Sequence, residues 1–551
     1  MTKRVPVVIA CLACSTILLA ALPQGFLRGP APIPRQAEAR VTNPEAARVS
    51  GEAAASAYLP QAVERLGLDL PGVGFKLLRT EVDGFGASHV RFQETYEGVP
   101  VIGRELVAHV NNAAAGVFAV GSSADVIPPM DVRAALGPAQ ASRIAKEAFR
   151  AVNGPDAASA EARLVIVGDC SGYHLAYEVR VSNVLHETYE PAEWRYFVDG
   201  GSGAILDSWN DLHTKGKPGG STISYTKPVT GTGQTLYSGS VSLGTAQASD
   251  GSSNYALKDL VRGSTYTTDM NSRTSGSGTL FTATSNTWGD GTNADRATAG
   301  ADAHFGTDMT WDFYSSSFGR NGISNDGKGS YSRVHYGRNY NNAFWSDSCY
   351  CMTYGDGDGR VLSPLVSLDV AGHEMSHGVT SATSNLAYSG ESGGLNESFS
   401  DIMGTGVEYY AATHGAQRSW DYWIGEDVYT PGTPGDALRY MDDPTRDGSS
   451  IDNYANYTSS LDVHYSSGIW NNWFYLLAHG GTNRTSGLGV TGIGIDKALA
   501  VAYLANTGYF TSSESFSKAR QDCIAAATQL YGANSSEVAG VGQAWTAVGV
   551  N

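Results

Sequence analysis

Two histidines four residues apart carry the strongest chemical signal in this chain. His373 and His377 enclose Glu374, so this segment contains the pattern H-E-x-x-H. On a helix, side chains four positions apart lie on one face, so both imidazoles can bind one metal ion with Glu374 beside them. Neutral imidazole is a good zinc ligand, and a catalytic zinc site keeps one position open for water. The alternative interpretation is a surface helix with two solvated histidines.

Two acidic residues on the next predicted helix extend this pattern. Glu397 follows His377 by twenty positions, and Asp401 follows Glu397 by one helical turn on the same face. Glu397 can be the third protein ligand that a catalytic zinc ion needs. The Asp401 carboxylate can accept the free ring N–H of His373 and so fix its tautomer. On an isolated helix both acids would be solvated charges, but the preceding H-E-x-x-H favours the metal site.

These residue types are suited to hydrolysis by a metal-bound water. Zinc lowers the pKa of its bound water and polarises a carbonyl group. Glu374 lies next to the ligands without being one, so it can take the proton of that water and deliver it to a leaving amine. The pattern therefore predicts a zinc peptidase with Glu374 as its general base.

The helical patterns place these motifs along the chain. They predict helices at 362–382, 392–412, 466–480, 494–507 and 514–531, with a further one at 138–152. Residues 222–360 are rich in Ser, Thr, Gly, Tyr and Asn and show few long helical patterns, which predicts a β-rich lobe. The H-E-x-x-H motif lies on the first helix of the later region, and Glu397 lies on the second.

The motif pair resembles that of the thermolysin family of zinc endopeptidases over about residues 222–551. The likeness is strongest to the pseudolysin and vibriolysin branch. Besides the zinc motifs, it rests on the segments VHYG at 334–337, NNAFW at 341–345, LRYMD at 438–442 and DVHYSSG at 462–468. The resemblance implies an α+β fold, a two-lobed peptidase at 222–551. Its N-lobe at 222–380 is expected to be β-rich and its C-lobe at 381–551 helical, with the zinc helix between them.

The resemblance implies roles for further catalytic residues. His464 matches the second catalytic residue of the family, with Asp462 orienting it, and Tyr388 matches a tyrosine that donates to the same oxyanion. A protonated imidazole held by a carboxylate is a suitable donor to a developing oxyanion. Taken alone, His464 would be a surface histidine and Tyr388 a core tyrosine.

The same resemblance implies how a substrate is held. Asn342, the backbone of Ala343, and Arg439 match residues that hydrogen-bond the peptide main chain; an ordinary ion pair is the alternative for Arg439. The family has a pocket for the residue just C-terminal of the cut. Five apolar residues of this chain match it, namely Leu365, Val370, Ile424, Val428 and Leu438. An apolar pocket implies a preference for a bulky hydrophobic residue there.

A second metal site is predicted from the geometry of the two zinc-site helices. Asp369 lies one turn before His373, and Glu408 lies eleven residues after Glu397, a separation of three turns plus about 20°. The zinc contacts require antiparallel helices, so Glu408 approaches Asp369. Two buried carboxylates repel each other unless a cation or proton lies between them, and hard oxygen ligands favour Ca²⁺. The alternative is a solvated acidic patch.

The resemblance extends this calcium site. It adds Asp421 and the backbone carbonyl of Trp423 as ligands. It also shows a departure, because Thr405 occupies a position where that branch has another acid. We therefore expect a calcium site of reduced affinity.

The upstream residues are predicted to be removed during maturation. Residues 1–29 have the layout of a secretory signal peptide, with a basic head followed by a mainly apolar run. Residues 30–215 resemble the propeptide of the family, with a fungalysin/thermolysin-type module at 52–130 and a PepSY-like module at 135–213. The stretch from about 30 to 50 is rich in Ala, Pro and Arg and indicates a linker. We expect the propeptide to be an inhibitor and folding aid, removed largely by the enzyme itself.

Composition limits the partners and the location. A net charge of −17 argues against nucleic acid or an anionic membrane surface as partner. Beyond the N-terminal run, no segment approaches the roughly 18 consecutive apolar residues of a membrane helix. We expect a secreted monomer, not bound to a membrane, that acts on proteins and peptides; a lipid anchor at Cys11 or an uncleaved membrane anchor is the alternative. One disulfide is expected among Cys349, Cys351 and Cys523, with its pairing open.

Two other functions compete with an endopeptidase. Zinc aminopeptidases share H-E-x-x-H with a downstream Glu, but they carry a Gly-Ala-Met-Glu-Asn type of motif before the zinc helix, where this chain has residues 341–345. A secreted binding protein with a decayed site is the other. Decay should remove at least one of Glu374, Glu397 and His464, and all three are present.

Overall fold

The computed structural model describes residues 27–31, 41, 43–154, 161–169, 172–183, 192–210, 224–347, 349–416 and 419–551. The predicted signal peptide lies outside these ranges except for its last three residues, and Cys11 and Cys170 lie outside them as well. Within the described residues, no helix combines the length and the apolar character that crossing a membrane requires.

Residues 27–210 are built on one nine-stranded sheet. Its strands are β1 (Leu27–Arg28), β2 (Val73–Val82), β3 (Ala87–Tyr96), β4 (Val99–Asn111), β5 (Gly116–Ser122), β6 (Ala162–Asp169), β7 (Gly172–Ser182), β8 (Glu193–Asp199) and β9 (Ile205–Asn210). The order is β1-β5-β4-β6-β7-β8-β9, with β3 also on β4 and β2 on β3. Two antiparallel halves therefore meet where β4 and β6 pair in parallel, at Val101 and Ile166.

Two helices cover this sheet. Helix α1 (Pro44–Arg65) packs on β3, β4 and β5, and α2 (Pro138–Asn153) packs on β6, β7 and β8. The Asn43 side chain accepts the N–H of Ala46 at 3.0 Å and so caps α1, whose first residue is a proline. The predicted linker is therefore wrong from residue 44 onward, while the helix predicted at 138–152 is confirmed.

Residues 224–355 form two sheets around a long helix. The first sheet has the order β16-β12-β11-β10-β17 and the second the order β13-β14-β18-β20-β19, with β15 on β14. The strands are β10 (Tyr225–Gln234), β11 (Ser240–Ala248), β12 (Tyr255–Ala256), β13 (Lys258–Asp259), β14 (Thr265–Asp269), β15 (Thr279–Leu280), β16 (Thr282–Ala283), β17 (Thr287–Trp288), β18 (Tyr331–Tyr336), β19 (Ala343–Ser346) and β20 (Cys351–Gly355). A disulfide joins Cys349 to Cys351, and Cys523 is free and buried.

The long helix α3 (Arg296–Phe318) was not expected in the β-rich lobe. Asp295 caps its start and Gly319, in the left-handed conformation, ends it. Sixteen of its 23 residues are buried, on faces that contact both sheets and the helices beyond them. A helix buried on nearly all sides lacks the polar stripe that marks a surface helix, so periodicity did not reveal it.

Residues 368–551 are mainly helical. The helices are α4 (Leu368–Ala382), α5 (Gly390–Thr413), α6 (Val463–Ser466), α7 (Gly468–Ala478), α8 (Ile495–Leu504), α9 (Phe516–Tyr531) and α10 (Ser536–Ala547). The short strands β21 (Trp423–Ile424), β22 (Arg439–Tyr440), β23 (Gly481–Thr482) and β24 (Gly489–Val490) and the 3₁₀ turns Pro444–Asp447 and Tyr454–Asn456 lie between them, and a π-helical turn, Ala505–Tyr509, continues α8. The five helices predicted here are present, although α4 begins six residues later than predicted; α10 was not predicted. The fold thus has the expected α+β composition.

Candidate active site

The site lies where α4 and α5 pack side by side. His377 contacts Asn396 and His373 contacts Asp401, so the sequence numbers rise along one helix as they fall along the other and the helices are antiparallel. Gly404 allows this close packing, because a Cβ there would lie 2.5 Å from the carbonyl oxygen of Asp369. The glycine brings the two histidines of α4 within reach of the acids of α5.

Three side chains converge as the sequence predicts for a zinc site. The Nε2 atoms of His373 and His377 are 3.0 Å apart, and the Glu397 carboxylate oxygens lie 3.6 and 3.4 Å from them. All three side chains are buried. Glu397 Oε2 has no hydrogen-bond partner among the described residues.

The remaining ring nitrogens show that this convergence fits a metal ion. Nδ1 of His373 faces Asp401 Oδ1 at 2.8 Å, and Nδ1 of His377 faces Asn396 Oδ1 at 2.8 Å. The Asn396 amide donates its own N–H to the Leu386 carbonyl at 3.1 Å, which orients its oxygen toward the ring. Both rings therefore donate from Nδ1, and both Nε2 lone pairs point at each other and at a carboxylate. Lone pairs that converge in this way repel one another unless a cation lies between them. Two neutral imidazoles and a carboxylate are suitable ligands for zinc.

Asp401, on α5, is held by groups from two other helices and a strand. Arg439 donates to both carboxylate oxygens at 2.8 and 2.6 Å, and Asn471 donates to Oδ2 at 2.8 Å. Burial acts to raise the pKa of Asp401, but Arg439 and His373 hold it well below its usual range. Asp401 is therefore a permanent anion that fixes His373, and Arg439 contacts it as well as lining the cavity.

Glu374 lies in the wall of the same cavity, which has a volume of about 280 Å³. Burial raises the pKa of Glu374 to about 7, with His373 acting in the opposite direction. A carboxylate with a pKa near neutrality can both accept and return a proton at neutral pH. Its position and its pKa thus suit the role of general base.

His464, Asp462 and Tyr388 meet on the other side of the cavity. Asp462 Oδ1 lies 2.7 Å from Nδ1 of His464, and Nε2 of His464 lies 3.3 Å from the Tyr388 hydroxyl. The Tyr388 hydroxyl donates to Glu397. The negative charge of Glu397 raises the pKa of His464, burial opposes this, and Asp462 adds to it. The half-exposed imidazole is thereby favoured in its protonated, donating form.

The predicted substrate residues surround the same cavity. Asn342 and Ala343 line it at the start of β19, which is an edge strand, so its outer backbone groups can pair with an extended peptide. Four of the five predicted pocket residues line the cavity, namely Leu365, Val370, Ile424 and Leu438. Val428 is fully buried in the same apolar cluster as Leu365 and Val370.

A second acidic cluster lies near the far end of α5. Carboxylate oxygens of Glu408, Asp421 and Glu426 lie within 4.8 Å of one another. Asp369 is not one of these three; it is fully buried and accepts hydrogen bonds from Ser367 Oγ at 2.6 Å and the Gly425 N–H at 2.5 Å. Burial raises the pKa of Glu426 to about 11, and the charges of Asp369 and Glu408 add to this. A carboxylate held among other carboxylates in this way favours a bound cation.

Comparisons with known proteins agree with this geometry. Residues 230–381 match the thermolysin metallopeptidase catalytic domain, and residues 384–550 match its alpha-helical domain. Residues 73–123 match the fungalysin/thermolysin propeptide motif. A bacillolysin from Bacillus cereus is 40% identical over 504 residues, which is 87% of this chain and 85% of that relative. This chain belongs to the thermolysin family.

Two further relatives extend the comparison of this thermolysin-family chain. The transglutaminase-activating metalloprotease of Streptomyces mobaraensis is 40% identical over 510 residues, which is 90% of this chain, and the chain spans 63% of that relative's length. The precursor of protealysin, a metalloproteinase from Serratia proteamaculans, is 29% identical with a TM-score of 0.43 over 52% of this chain and 87% of that one. Family membership, shown by the matching domains and the bacillolysin relative, confirms a zinc-dependent metalloprotease with a propeptide and a thermolysin-like α+β fold.

Sequence reasoning missed three residues that the structure brings to the metal clusters and the cleft. Asn396 precedes the ligand Glu397 and orients His377, and Glu426 joins Glu408 and Asp421. Asn210, at the end of β9 in the upstream region, lines the active-site cavity. The position of Asn396 next to a ligand was a usable signal, whereas Glu426 and Asn210 reach their places only through the packing of segments that are distant in sequence.

Proposed function

We propose that this chain is a secreted zinc endopeptidase, made as a precursor, that cuts peptide bonds on the N-terminal side of bulky hydrophobic residues. The observation that carries this proposal is one cavity that holds the three-ligand cluster, Glu374 and an apolar wall. The wall suits a bulky hydrophobic side chain, and the adjacent edge strand β19 suits the main chain of an extended peptide.

The proposed reaction adds water across a peptide bond. Zinc, when bound to His373, His377 and Glu397, supplies a Lewis acid and an acidified water. Glu374 removes a proton from the water as its oxygen bonds to the carbonyl carbon, and it delivers that proton to the amine nitrogen when the C–N bond breaks. His464, oriented by Asp462, and Tyr388 donate hydrogen bonds to the carbonyl oxygen while it carries negative charge.

Several residues are proposed to hold the substrate. The Asn342 side chain, the Ala343 backbone and Arg439 hydrogen-bond the peptide main chain, and Leu365, Val370, Ile424, Val428 and Leu438 form the hydrophobic pocket. Arg439 also holds Asp401, so its guanidinium is already oriented before substrate arrives. Orientation before binding lowers the entropy cost of the contact.

The upstream region, residues 30–215, is proposed to be an inhibitory propeptide. Asn210, the last residue of β9, lines the active-site cavity, so the C-terminal strand of the described upstream region ends at the cleft. This placement supports removal of the propeptide by the enzyme itself. The mature protein is then a secreted monomer composed of residues from about 222 to 551.

The acidic cluster is proposed to bind Ca²⁺. Its ligands are Glu408, Asp421, the Trp423 carbonyl and Asp369, and the structure adds Glu426 as a further carboxylate. Thr405, fully buried on α5, provides no charge where the pseudolysin-like branch has an acid. The cation links α5 to the loop that carries the hydrophobic pocket residue Ile424.

Casein hydrolysis by the secreted, mature protein tests the proposed activity. We expect hydrolysis that a zinc chelator abolishes and added zinc restores; no hydrolysis by zinc-saturated protein would favour a non-catalytic binding protein.

A peptide with a blocked N-terminus distinguishes an endopeptidase from an aminopeptidase. We expect cleavage before its bulky hydrophobic residue, whereas an aminopeptidase would leave the blocked peptide intact. Mass mapping of the mature N-terminus locates the maturation cut.

A further inference from the structure

The upstream region contacts the C-lobe through a closed ring of buried polar side chains. Nδ1 of His89 and Nδ1 of His109 are 2.8 Å apart, and Nε2 of His89 lies 2.9 Å from Asp83 Oδ2. Gln529 of the C-lobe donates to the same Asp83 oxygen at 2.9 Å and accepts from the Tyr509 hydroxyl at 2.7 Å. The Tyr509 ring stacks on His109 with centroids 4.2 Å apart, which closes the ring. All five side chains are buried.

The C-lobe element in this contact is the π-helical turn Ala505–Tyr509. A Cβ at Gly508 would lie 2.8 Å from the His89 ring, so a glycine is needed for the approach. Arg91, two residues after His89 on the same strand, donates to the Phe510 carbonyl at 2.5 Å and to the Thr507 carbonyl at 3.4 Å. The end of α8 is thus capped by the upstream region.

The short contact between the two imidazoles limits how many protons the pair can hold. Two Nδ1 atoms at 2.8 Å share one proton, since one nitrogen must donate and the other accept. Asp83 can balance a positive charge on His89, to which it is paired at 2.9 Å. Full protonation of both rings sets two N–H groups against each other and adds a second buried positive charge. The contact cannot survive that second proton.

The charges around the pair are already matched among themselves. Arg91 lies 3.5 Å from Glu105, and Lys518 lies 2.6 Å from Asp522 and 3.4 Å from Glu514. The charges of Arg91 and Lys518 act on His109, and those of Glu105, Glu514, Asp522 and Glu81 act on Arg91. Glu81 is itself paired with Arg320 at 2.7 Å. Arg91 is paired with Glu105 and Lys518 with Asp522, while burial raises the pKa of Glu514 to about 8, so that this acid is largely neutral below that pH. A second imidazolium would therefore meet Arg91 and Lys518 without a matching anion.

Burial lowers the pKa of His109 well below its usual value, and the charges of His89, Arg91 and Lys518 lower it further. A histidine whose pKa is lower in the docked state than in the separated state takes up a proton on separation. The docked state is therefore most stable above the pKa that His109 has in the separated state, about 6.5, and it loses stability as the pH falls below that value.

We propose that the His89–His109 pair is an acid-sensitive latch that holds the upstream region on the C-lobe and opens on acidification. At a pH above the pKa of His109 in the separated state, the latch keeps the upstream region in place even after the connecting segment is cut. Because Asn210 of that region lines the active-site cavity, opening the latch also frees the cleft. The proposal goes beyond the peptidase activity, since it concerns when the active enzyme is released.

Hydrogen–deuterium exchange on the full-length, zinc-loaded Glu374→Gln precursor tests the latch without using activity as the readout. Exchange is measured from about pH 8 to about pH 5 and corrected for the intrinsic rate, with β18 as the internal reference. For one proton taken up on opening, we expect the open population of residues 505–510 and β3 to rise about tenfold per pH unit below about 6.5. Unchanged protection over this range would overturn the proposal.

Three variants in the same background identify the titrating group. His109→Gln cannot take a second proton and should change its open population less than about twofold over the range. In Gly508→Ala the open population should be larger at every pH, and its dependence on pH should be unchanged. Glu514→Gln removes a buried acid whose pKa burial raises, and it should also retain the slope. A slope that persists in His109→Gln, or is lost in Glu514→Gln, would contradict the latch.

The latch can still be tested if the His109 variant does not fold or if the precursor is cut. If His109→Gln does not fold, the slope in the histidine-containing precursor and its retention in Glu514→Gln still decide the assignment. If the Glu374→Gln precursor is cut, that result contradicts self-cleavage but not the latch, because exchange can then be measured on the cut complex.

Discussion

Glu374 differs from the zinc ligands in what its removal should do. Glu374→Gln leaves His373, His377 and Glu397 in place, so zinc should stay bound while the proton acceptor is lost. We expect the rate of casein hydrolysis to fall by about 10²–10⁴-fold, the usual contribution of a general base. Zinc content, measured on the same sample, is the control. A zinc-loaded variant within about tenfold of the unaltered enzyme would exclude this role.

Asn396 should matter through His377 alone, since its oxygen accepts the Nδ1 proton of that ring. Asn396→Ala removes the acceptor that fixes the tautomer and should weaken zinc binding by about 10–100-fold in a competition with a chromogenic chelator. Asn396→Asp keeps an acceptor at the same place and is the matched control, with a smaller loss expected. Equal affinities for both variants would mean that the tautomer is fixed in another way.

At the scale of elements, the spacing of α4 and α5 decides whether the ligands meet. Gly404→Ala places a methyl group 2.5 Å from the Asp369 carbonyl oxygen, so the two helices must separate. We expect a loss of about 1–3 kcal/mol of unfolding free energy, as for other overpacked interiors, together with weaker zinc binding. Thermal unfolding with and without zinc measures both.

Gly542→Ala is the control for that substitution. Gly542 also lies in a helix, α10, but a Cβ there would have its nearest neighbour, Ile524, at 4.0 Å. Alanine has a higher helix propensity than glycine by about 1 kcal/mol, so this variant should be as stable as the parent or more so. If both variants lost the same unfolding free energy, the α4–α5 contact would be no more sensitive to an added methyl group than Gly542 in α10 is.

Calcium should stabilise the junction of α5 with the loop that carries Asp421 and Glu426. In zinc-saturated mature enzyme, Ca²⁺ at about 100 times its dissociation constant should add about 2.7 kcal/mol to the unfolding free energy. The melting temperature should rise with Ca²⁺ accordingly, and less so in Glu426→Gln. A melting temperature that is unchanged between zero and millimolar Ca²⁺ would exclude the site.

At the scale of the whole molecule, the placement of Asn210 in the cleft predicts self-processing. The Glu374→Gln chain should accumulate as an uncut precursor, detected by its size on a denaturing gel. Mature enzyme added to this precursor is the control, and it should cut the connecting segment if that segment is accessible. Normal processing of the variant with no other protease present would contradict self-cleavage.

The sequence by itself determined the chemistry of the metal centre and the class of the fold. The H-E-x-x-H pattern and the Glu397–Asp401 pair depend on helical spacing, which is local, and the structure places all of these side chains around one point. Local patterns failed where burial removed the contrast between faces, as in α3, and where a linker-like composition concealed the Asn43–Pro44 helix start.

Only the tertiary structure decided which distant residues meet. Glu426 joins the acidic cluster, Asn210 enters the cleft, and His109 stacks on Tyr509 across 400 positions of sequence. These contacts depend on how whole elements pack, and neither periodicity nor spacing within one segment contains that information. The physical reason is that a buried polar group must find its partner somewhere in the folded chain, and packing alone determines which partner is in reach.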